Sequence, residues 1–295
     1  MRWMPGGTKT RSHLAAFTSH AFSLARSLGI KTALVLADEL RRDEFEEHRT
    51  TERIIWLVRG EEPPAPEHPD DITLVIPEAR VTRMSQINIG LFFATLRGHI
   101  GLNDTVLCLS GMAGSGRLDL MLVTKPNHDF PWLRQADLDR TRYLLSPREF
   151  GRLLELALRF AAEGREGKPI GAIFVLGDMR ELEPYLRQLI LNPCKGHARA
   201  LRSIHKPEFA ESLREFCGLD GAIVVSRSGI VESVGTYLDA PTGSVRLRQG
   251  LGARHAAAAA ITKVTDAVAF AISESSGTVM LFDNGRPILE LERPR

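Results

Sequence analysis

Short runs of β-branched and aliphatic residues recur along the chain, and segments with apolar residues at helical spacing lie between them. No other feature limits the fold as strongly. In the first half KTALVLADE, RIIWLVRG, ITLVIPE, DTVLCLSG and LDLMLVTK are too short for helices and too apolar for half-exposed strands. Each reads as a short buried strand. HLAAFTSHAFSLARSLG, residues 13–29, and INIGLFFATLRGHIG carry helical periodicity, the former stopping at a glycine. Strands alternating with helices imply a mostly parallel sheet covered by helices, an α/β architecture. The prolines and acids of EEPPAPEHPDD place a surface loop between the second and third strands.

The second half begins with a helix whose ends are written in its sequence. SPREFGRLLELALRFAAEG places Ser146 at the N-cap, Pro147 at the first helical position, Glu149 in a capping box and Gly164 past the end. IGAIFVLGD follows as a strand, MRELEPYLRQLILNP as a helix ending before Pro193, and PEFAESLREFCGL as another helix. DGAIVVSRSGIVESVGTYL reads as a hairpin turning at Gly229, with Asp220 at its entrance. AVAFAIS and TVMLFDNGRPILELE add strands, the last two joined through Asn284 and Gly285, so this half has some antiparallel pairing. Between the halves, PNHDFPWLRQADLDRTRYLL lacks a clear period and reads as a connector. The expected organisation is residues 1–128 as one α/β domain, 129–145 as connector and 146–295 as a second domain.

Composition narrows the function classes. The chain has 295 residues, 43% of them hydrophobic, enough for one or two ordinary globular domains. Its formal net charge is +2 with Lys and Arg scattered, so a broad nucleic-acid face is not expected. Cys108, Cys194 and Cys217 lie far apart and are odd in number, which points away from a disulfide framework and toward a reducing compartment, the cytoplasm. A secretory leader is not evident, and no stretch reaches the ~20 apolar residues of a membrane helix. The Cys194-x-x-His197 pair, with His205 nearby, lacks the second pair that a zinc site requires. The small residues from Gly111 to Gly116 read as a turn, and PGGTKT lacks P-loop spacing.

Three places carry candidate chemistry. GLGARHAAAAA sets Arg254 and His255 at a helix start, where a cation costs a few tenths to about 1 kcal/mol unless an anion sits among them. Gly250 and Gly252 let backbone approach such an anion, and first-turn N–H groups point at it, which makes phosphate the natural ligand. An exposed Arg-His pair is the plainer alternative, and the alanines read as a close helix-to-sheet packing surface. Asp220, beside Gly221, is suited to hold a divalent metal or accept a hydroxyl proton, although Asp-Gly is also ordinary turn chemistry. Ser273 and Glu274 end an apolar strand, where open α/β sheets place ligands.

In this order the three segments resemble the diadenylate cyclase domain of the DisA type. The matching residues are DGA at 220–222, GARHA at 252–256, TDAVAFAISE at 265–274 and GT at 277–278. GTYLD at 235–239 looks like the family's adenine-side segment, and LILNP resembles forms in soluble archaeal-type members. Ala256 stands where the family commonly has a second arginine, and Ser275 where many members have a second acid.

The resemblance implies a central mixed sheet flanked by helices. It also implies condensation of two ATP into cyclic di-AMP and two pyrophosphates, with Mn²⁺ or Mg²⁺, in a homo-oligomer of at least two face-to-face protomers. Asp220, Arg254 and His255 take the catalytic roles, with Gly221, Ala222, Thr236, Leu238, Gly252, Ala253, Ser273 and Glu274 around the ATP, and Asp220 and Glu274 as metal ligands. No nucleic-acid or membrane partner is implied. The alternative is a sensor that binds ATP or cyclic di-AMP in the same pocket without turnover. Residues GHIGLNDTVLCLSGMAGSGRLDLMLV resemble the end of a pyruvate kinase C-terminal domain, which implies a regulatory or oligomerisation role for the first, three-layer half.

Overall fold

A computed structural model of the chain describes residues 7–36, 45, 48–59, 68–79, 81–112, 115–131, 133, 147–166 and 168–292. It divides into two compact units, Met1–Ile76 with Thr82–Pro131, and Pro77–Val81 with Trp132–Arg295.

The first unit is built on helices α1 (Gly7–Ser27), α2 (Arg83–Leu96) and the short α3 (Pro126–Asp129), with strands β1 (Thr32–Leu36), β2 (Arg53–Arg59), β3 (Ile72–Ile76), β4 (Val106–Ser110) and β5 (Leu120–Thr124). Its sheet runs β3-β2-β1-β4-β5, parallel except for the antiparallel β4–β5 edge. The central runs are buried as their composition requires, every residue of β4 among them, whereas the edge strands β3 and β5 are largely half-buried. On one side Phe45 meets Phe22 and Trp56 edge-on, both at 5.4 Å between ring centres. α2 begins at Thr82, whose Oγ1 accepts from Ser85 N at 3.1 Å. It rests on the sheet through Gly90, where a Cβ would collide with Leu57 and come within 2.9 Å of Leu34.

One acid of the expected surface loop is not on the surface. Asp71 is 6% exposed and accepts from Arg49 Nη1 and Nη2 at 3.0 and 2.7 Å, from Ile54 N at 2.9 Å and from Trp56 Nε1 at 3.1 Å. The carboxylate thus satisfies a strand amide, an indole and a guanidinium where β2 begins, just before β3. Asp70 of that loop is exposed, and Glu61, Glu62 and Glu67 lie outside the described residues.

The second unit contains α4 (Pro147–Glu163), β6 (Ala172–Gly177), α5 (Met179–Leu182), β7 (Leu186–Gln188), α6 (Pro207–Phe216), β8 (Ala222–Ser226), β9 (Val231–Leu238), α7 (Ala253–Val264), β10 (Val268–Ile272), β11 (Val279–Asp283) and β12 (Arg286–Leu291). Seven strands form a mixed sheet in the order β12-β11-β10-β6-β8-β9-β7, in which only β6–β8 is parallel. α4 stops at Gly164, whose φ of +64° and N–H bond to Phe160 O close the last turn. Its expected cap, Ser146, lies outside the described residues. The β8–β9 hairpin turns at Gly229 with φ +73°, and β11–β12 at Asn284 and Gly285 with φ +47° and +76°, the pair of left-handed residues a tight hairpin demands.

The segment 179–193 departs from the expected single helix. α5 ends after one turn, Pro184 follows within a 3-10 turn over Glu183–Tyr185, and Leu186–Gln188 pairs antiparallel with Thr236–Leu238 of β9. Asp178 holds the start by accepting from Arg180 N at 3.0 Å. Helical spacing of the leucines is outweighed by the open edge of β9, whose backbone groups β7 satisfies; Leu189 N continues the ladder to Gly235 O at 3.0 Å.

Because Asp71 serves buried partners, removing its carboxylate takes the charged acceptor from Arg49, which keeps Thr51 O and Glu52 O, and the same acceptor from Ile54 N and Trp56 Nε1. Asp71→Ala is expected to destabilise the first unit by roughly 3–5 kcal/mol, read from urea unfolding followed by Trp fluorescence. A loss below about 1 kcal/mol would show that water replaces the carboxylate freely.

Candidate active site

A cleft of about 670 Å³ opens in the second unit, and every candidate site residue lines it. Its walls come from the segment before β8 (Asp220, Gly221), β8 itself (Ala222), β9 (Thr236, Tyr237, Leu238), the start of α7 (Gly252, Ala253, Arg254, His255) and the end of β10 (Ile272, Ser273, Glu274, Ser275). Folding therefore unites segments that are about 15 to 55 positions apart in sequence.

Asp220 is held at the rim by the backbone that follows it. Gly221 has φ +101°, and a Cβ there would lie 2.6 Å from Thr236 N and 2.7 Å from Gly235 C. Glycine is required both by that left-handed backbone and by the close crossing of β9. The Asp220 side chain is exposed, and among the described residues its carboxylate has no hydrogen-bond or ion-pair partner. Thr236 and Leu238 form the floor. Thr236 is buried with its hydroxyl 2.8 Å from Ser233 Oγ, and Leu238 belongs to the core.

α7 enters the cleft without a capping side chain, since Gly252 occupies the cap position. Its first-turn N–H groups and Arg254 thus meet at one end of the cleft. The anion that Arg254 calls for is present within the chain: Glu274 Oε2 accepts from Arg254 Nη1 at 2.8 Å, both side chains being partly exposed. Glu274 is therefore engaged by a guanidinium in this state. Ser273 shapes the same loop, its N–H bonding Thr278 O at 2.9 Å and its carbonyl accepting from Gly277 N at 2.8 Å.

His255 is not the cation its position first implied. It is 6% exposed, packs edge-on to Phe282 at 6.2 Å, and its Nε2 has no hydrogen-bond partner. Burial pushes its pKa below the ordinary histidine value, Arg248 and Arg254 push it further, and Glu290 only partly opposes them. At neutral pH the ring is uncharged, with an unused ring nitrogen beside the cleft.

Five apolar or small residues completing the walls, Ile173, Leu189, Tyr237, Ala257 and Ile272, were not marked as site residues from the sequence. Leu189 was hidden by reading its segment as a helix. Tyr237 had a visible signal, an aromatic exposed between the buried Thr236 and Leu238 of one strand.

A divalent cation has a plausible donor set here. Asp220 offers a hard, unpartnered carboxylate, while no group of three or more His, Cys, Asp and Glu among the described residues is arranged to hold a metal alone. One or two carboxylates completed by substrate phosphates is the usual way a protein holds Mg²⁺, so the residues fit. Cys194, Cys108 and Cys217 are free and buried, and burial raises all three thiol pKa values. Among the described residues no helix is long and apolar enough to cross a membrane.

These features define an α/β protein with a nucleotide-sized cleft at a helix N-terminus. The family model described as DisA bacterial checkpoint controller nucleotide-binding matches residues 159–287. A diadenylate cyclase of Methanocaldococcus jannaschii is 34% identical over 207 residues, 70% of this chain and 66% of that protein. One of Haloferax volcanii is 32% identical over 209 residues, 70% of this chain and 75% of that protein. The chain belongs to the diadenylate cyclase family, a family of nucleotidyltransferase enzymes. Among solved structures, a hypothetical membrane spanning protein from Bacillus cereus is similar at TM-score 0.39 and 23% identity, over 52% of this chain and 71% of that one. DacA from Staphylococcus aureus is similar at TM-score 0.35 and 23% identity, over 48% and 84%. The family match lies wholly in the second unit, and the pyruvate kinase likeness of the first has no counterpart in it.

The lowered His255 pKa has a stability consequence. The unfolded chain takes up a proton as pH falls through the ordinary histidine range while folded His255 resists it, so this stabilisation is complete above about pH 6.5 and is lost as pH falls toward the folded value. The urea midpoint should therefore drop between pH 7.5 and 5.5, and His255→Gln should drop less. Equal slopes for both proteins would remove His255 as the cause.

Proposed function

We propose that the protein condenses two ATP molecules into cyclic di-AMP and two pyrophosphates. The observation that carries this reading is the placement of one unpartnered carboxylate, Asp220, on the same cleft wall system as Arg254, His255 and an uncapped helix start. Membership of the diadenylate cyclase family supports it independently.

The chemistry follows from those groups. Each ribose 3′-hydroxyl attacks the α-phosphorus of the other ATP. The O3′–P bond forms, the bond to the β-phosphate oxygen breaks, pyrophosphate leaves, and the hydroxyl proton passes by way of Asp220 to solvent. Arg254 and the first-turn amides bind the triphosphate and meet the charge that develops at the α-phosphate. His255, being neutral, gives one N–H donor without adding charge. Gly252 and Ala253 leave the phosphates room at the helix start, and Ser273 orders the loop that carries Glu274. Mn²⁺ or Mg²⁺ bound with the nucleotide would be held by Asp220, with Glu274 once it leaves Arg254, and would supply Lewis-acid polarisation of the phosphate.

Cyclic di-AMP is two-fold symmetric and one cleft holds one ATP, so two protomers must face each other. A surface for this lies beside the cleft. Leu189, Ile190 and Leu191 follow the edge strand β7 at 53%, 40% and 96% exposure, with Tyr237 at 54%. Leu189 and Tyr237 also line the cleft, so a second copy covering this patch would close it. All lining residues belong to the second unit, which leaves the first unit a tuning or oligomerisation role.

With purified protein, ATP and Mn²⁺ or Mg²⁺, mass spectrometry should find the cyclic dinucleotide. Asp220→Asn should lower its formation by at least about a hundredfold while ATP affinity changes little, and Arg254→Ala should weaken both. ATP binding without product under either metal would leave a nucleotide sensor. Leu191→Asp should shift sedimentation toward monomer and reduce product with the cleft intact; a dimer that persists would move the interface elsewhere.

A further inference from the structure

Between the strand β6 and the site lies a residue whose importance comes from what it lacks. Gly171 is buried immediately before β6, under the Arg254–Glu274 pair. A Cβ at this position would stand 2.6 Å from Arg254 Nη1, 2.9 Å from Arg254 Cζ and 3.0 Å from Glu274 Cβ. Its backbone is not left-handed, for Gly171 is absent from the positive-φ glycines, so conformation does not demand glycine. Only the space above it does. A guanidinium lying on bare backbone is fixed from below by Gly171 and from the side by Glu274, which sets the direction of its remaining donors.

We infer that Gly171 is a positioning residue for phosphate recognition, the seat that fixes the guanidinium of Arg254 at the start of α7. The inference rests on the reading of the cleft as a triphosphate site. An ordinary contact begins at about 3.4 Å, so an added methyl would drive Nη1 outward by about 0.8 Å. The atoms it meets first are the far end of a flexible side chain, which moves at small cost to stability. The planar fork of arginine loses far more than a point charge when displaced, because its paired donors must match phosphate oxygens in direction as well as distance.

Gly171→Ala should therefore melt within a few degrees of the wild type yet bind Mg·ATP roughly ten- to a hundredfold more weakly in calorimetry, the scale expected when a recognition group is misplaced by about 1 Å. If turnover is followed, KM should rise more than kcat falls. In the Arg254→Ala background the same change should have no further effect, because the group it displaces is gone. The Arg254 Nε–Hε resonance, identified by its loss in Arg254→Ala, should shift in Gly171→Ala without nucleotide present. Unchanged affinity, an equal loss in the Arg254→Ala background, or an unmoved resonance would each overturn the inference. The cycle reads binding and ligand-free geometry, so a failure of the cyclase reading through absent product is distinguishable from a failure here.

Discussion

The site depends on how closely α7 lies against its sheet. Ala258, Ala259 and Ala260 are fully buried, and the first two pack in a core with Val175, Val224, Ala269, Ala271 and Phe282, drawn from four strands. Alanine brings helix backbone nearer to a sheet than any larger side chain allows, and at 0 kcal/mol of intrinsic helix cost it keeps the helix stable while doing so. The approach delivers the first turn of α7 to the cleft where β10 ends. Arg254 and His255 are thus placed by five consecutive small residues that themselves do no chemistry.

The same closeness explains why the two basic residues behave differently. Residues 254 and 255 are one position apart, so their side chains leave the helix about 100° apart. Arg254 projects to the rim and finds Glu274; His255 turns inward against Phe282 and loses its solvation. A pair that reads in sequence as two adjacent cations is one cation and one neutral ring. The helix dipole penalty that such a pair raises is met on one side by a carboxylate and on the other by burial.

Much of the architecture was legible because its signals are local. Fully apolar runs such as VLCL and AIFVL are buried strands, the Asn284-Gly285 turn has the conformation its residues favour, and α4 stops at Gly164. The convergence of DGA, GARHA and SE on one side of the fold was readable only through resemblance, since spacing says nothing about which strands become neighbours. Three features stayed hidden for one reason: each is decided by a partner distant in sequence. The segment 186–188 is a strand because β9 has a free edge, Asp71 is buried because Arg49, Ile54 and Trp56 need an acceptor, and Gly221 is glycine because β9 backbone passes over it. Helical spacing and loop composition gave the wrong cause for the first two, and turn chemistry accounts for the φ of +101° at Gly221 but not for the strand crossing over it.

The charges on the cleft wall lead to a conclusion about the form in which a nucleotide enters. Asp220 and Glu274 are two carboxylates against the single guanidinium of Arg254, and His255 adds no charge at neutral pH. A bare triphosphate would meet a wall already one charge negative, with its one arginine occupied. A divalent cation bound with the nucleotide would reverse the sign; on the proposed reading Asp220 and Glu274 would hold it, which would leave the Arg254 guanidinium to the phosphate oxygens. On that reading the ion pair at rest would belong to recognition, making the cleft less receptive to anions in general than to one that brings its own cation.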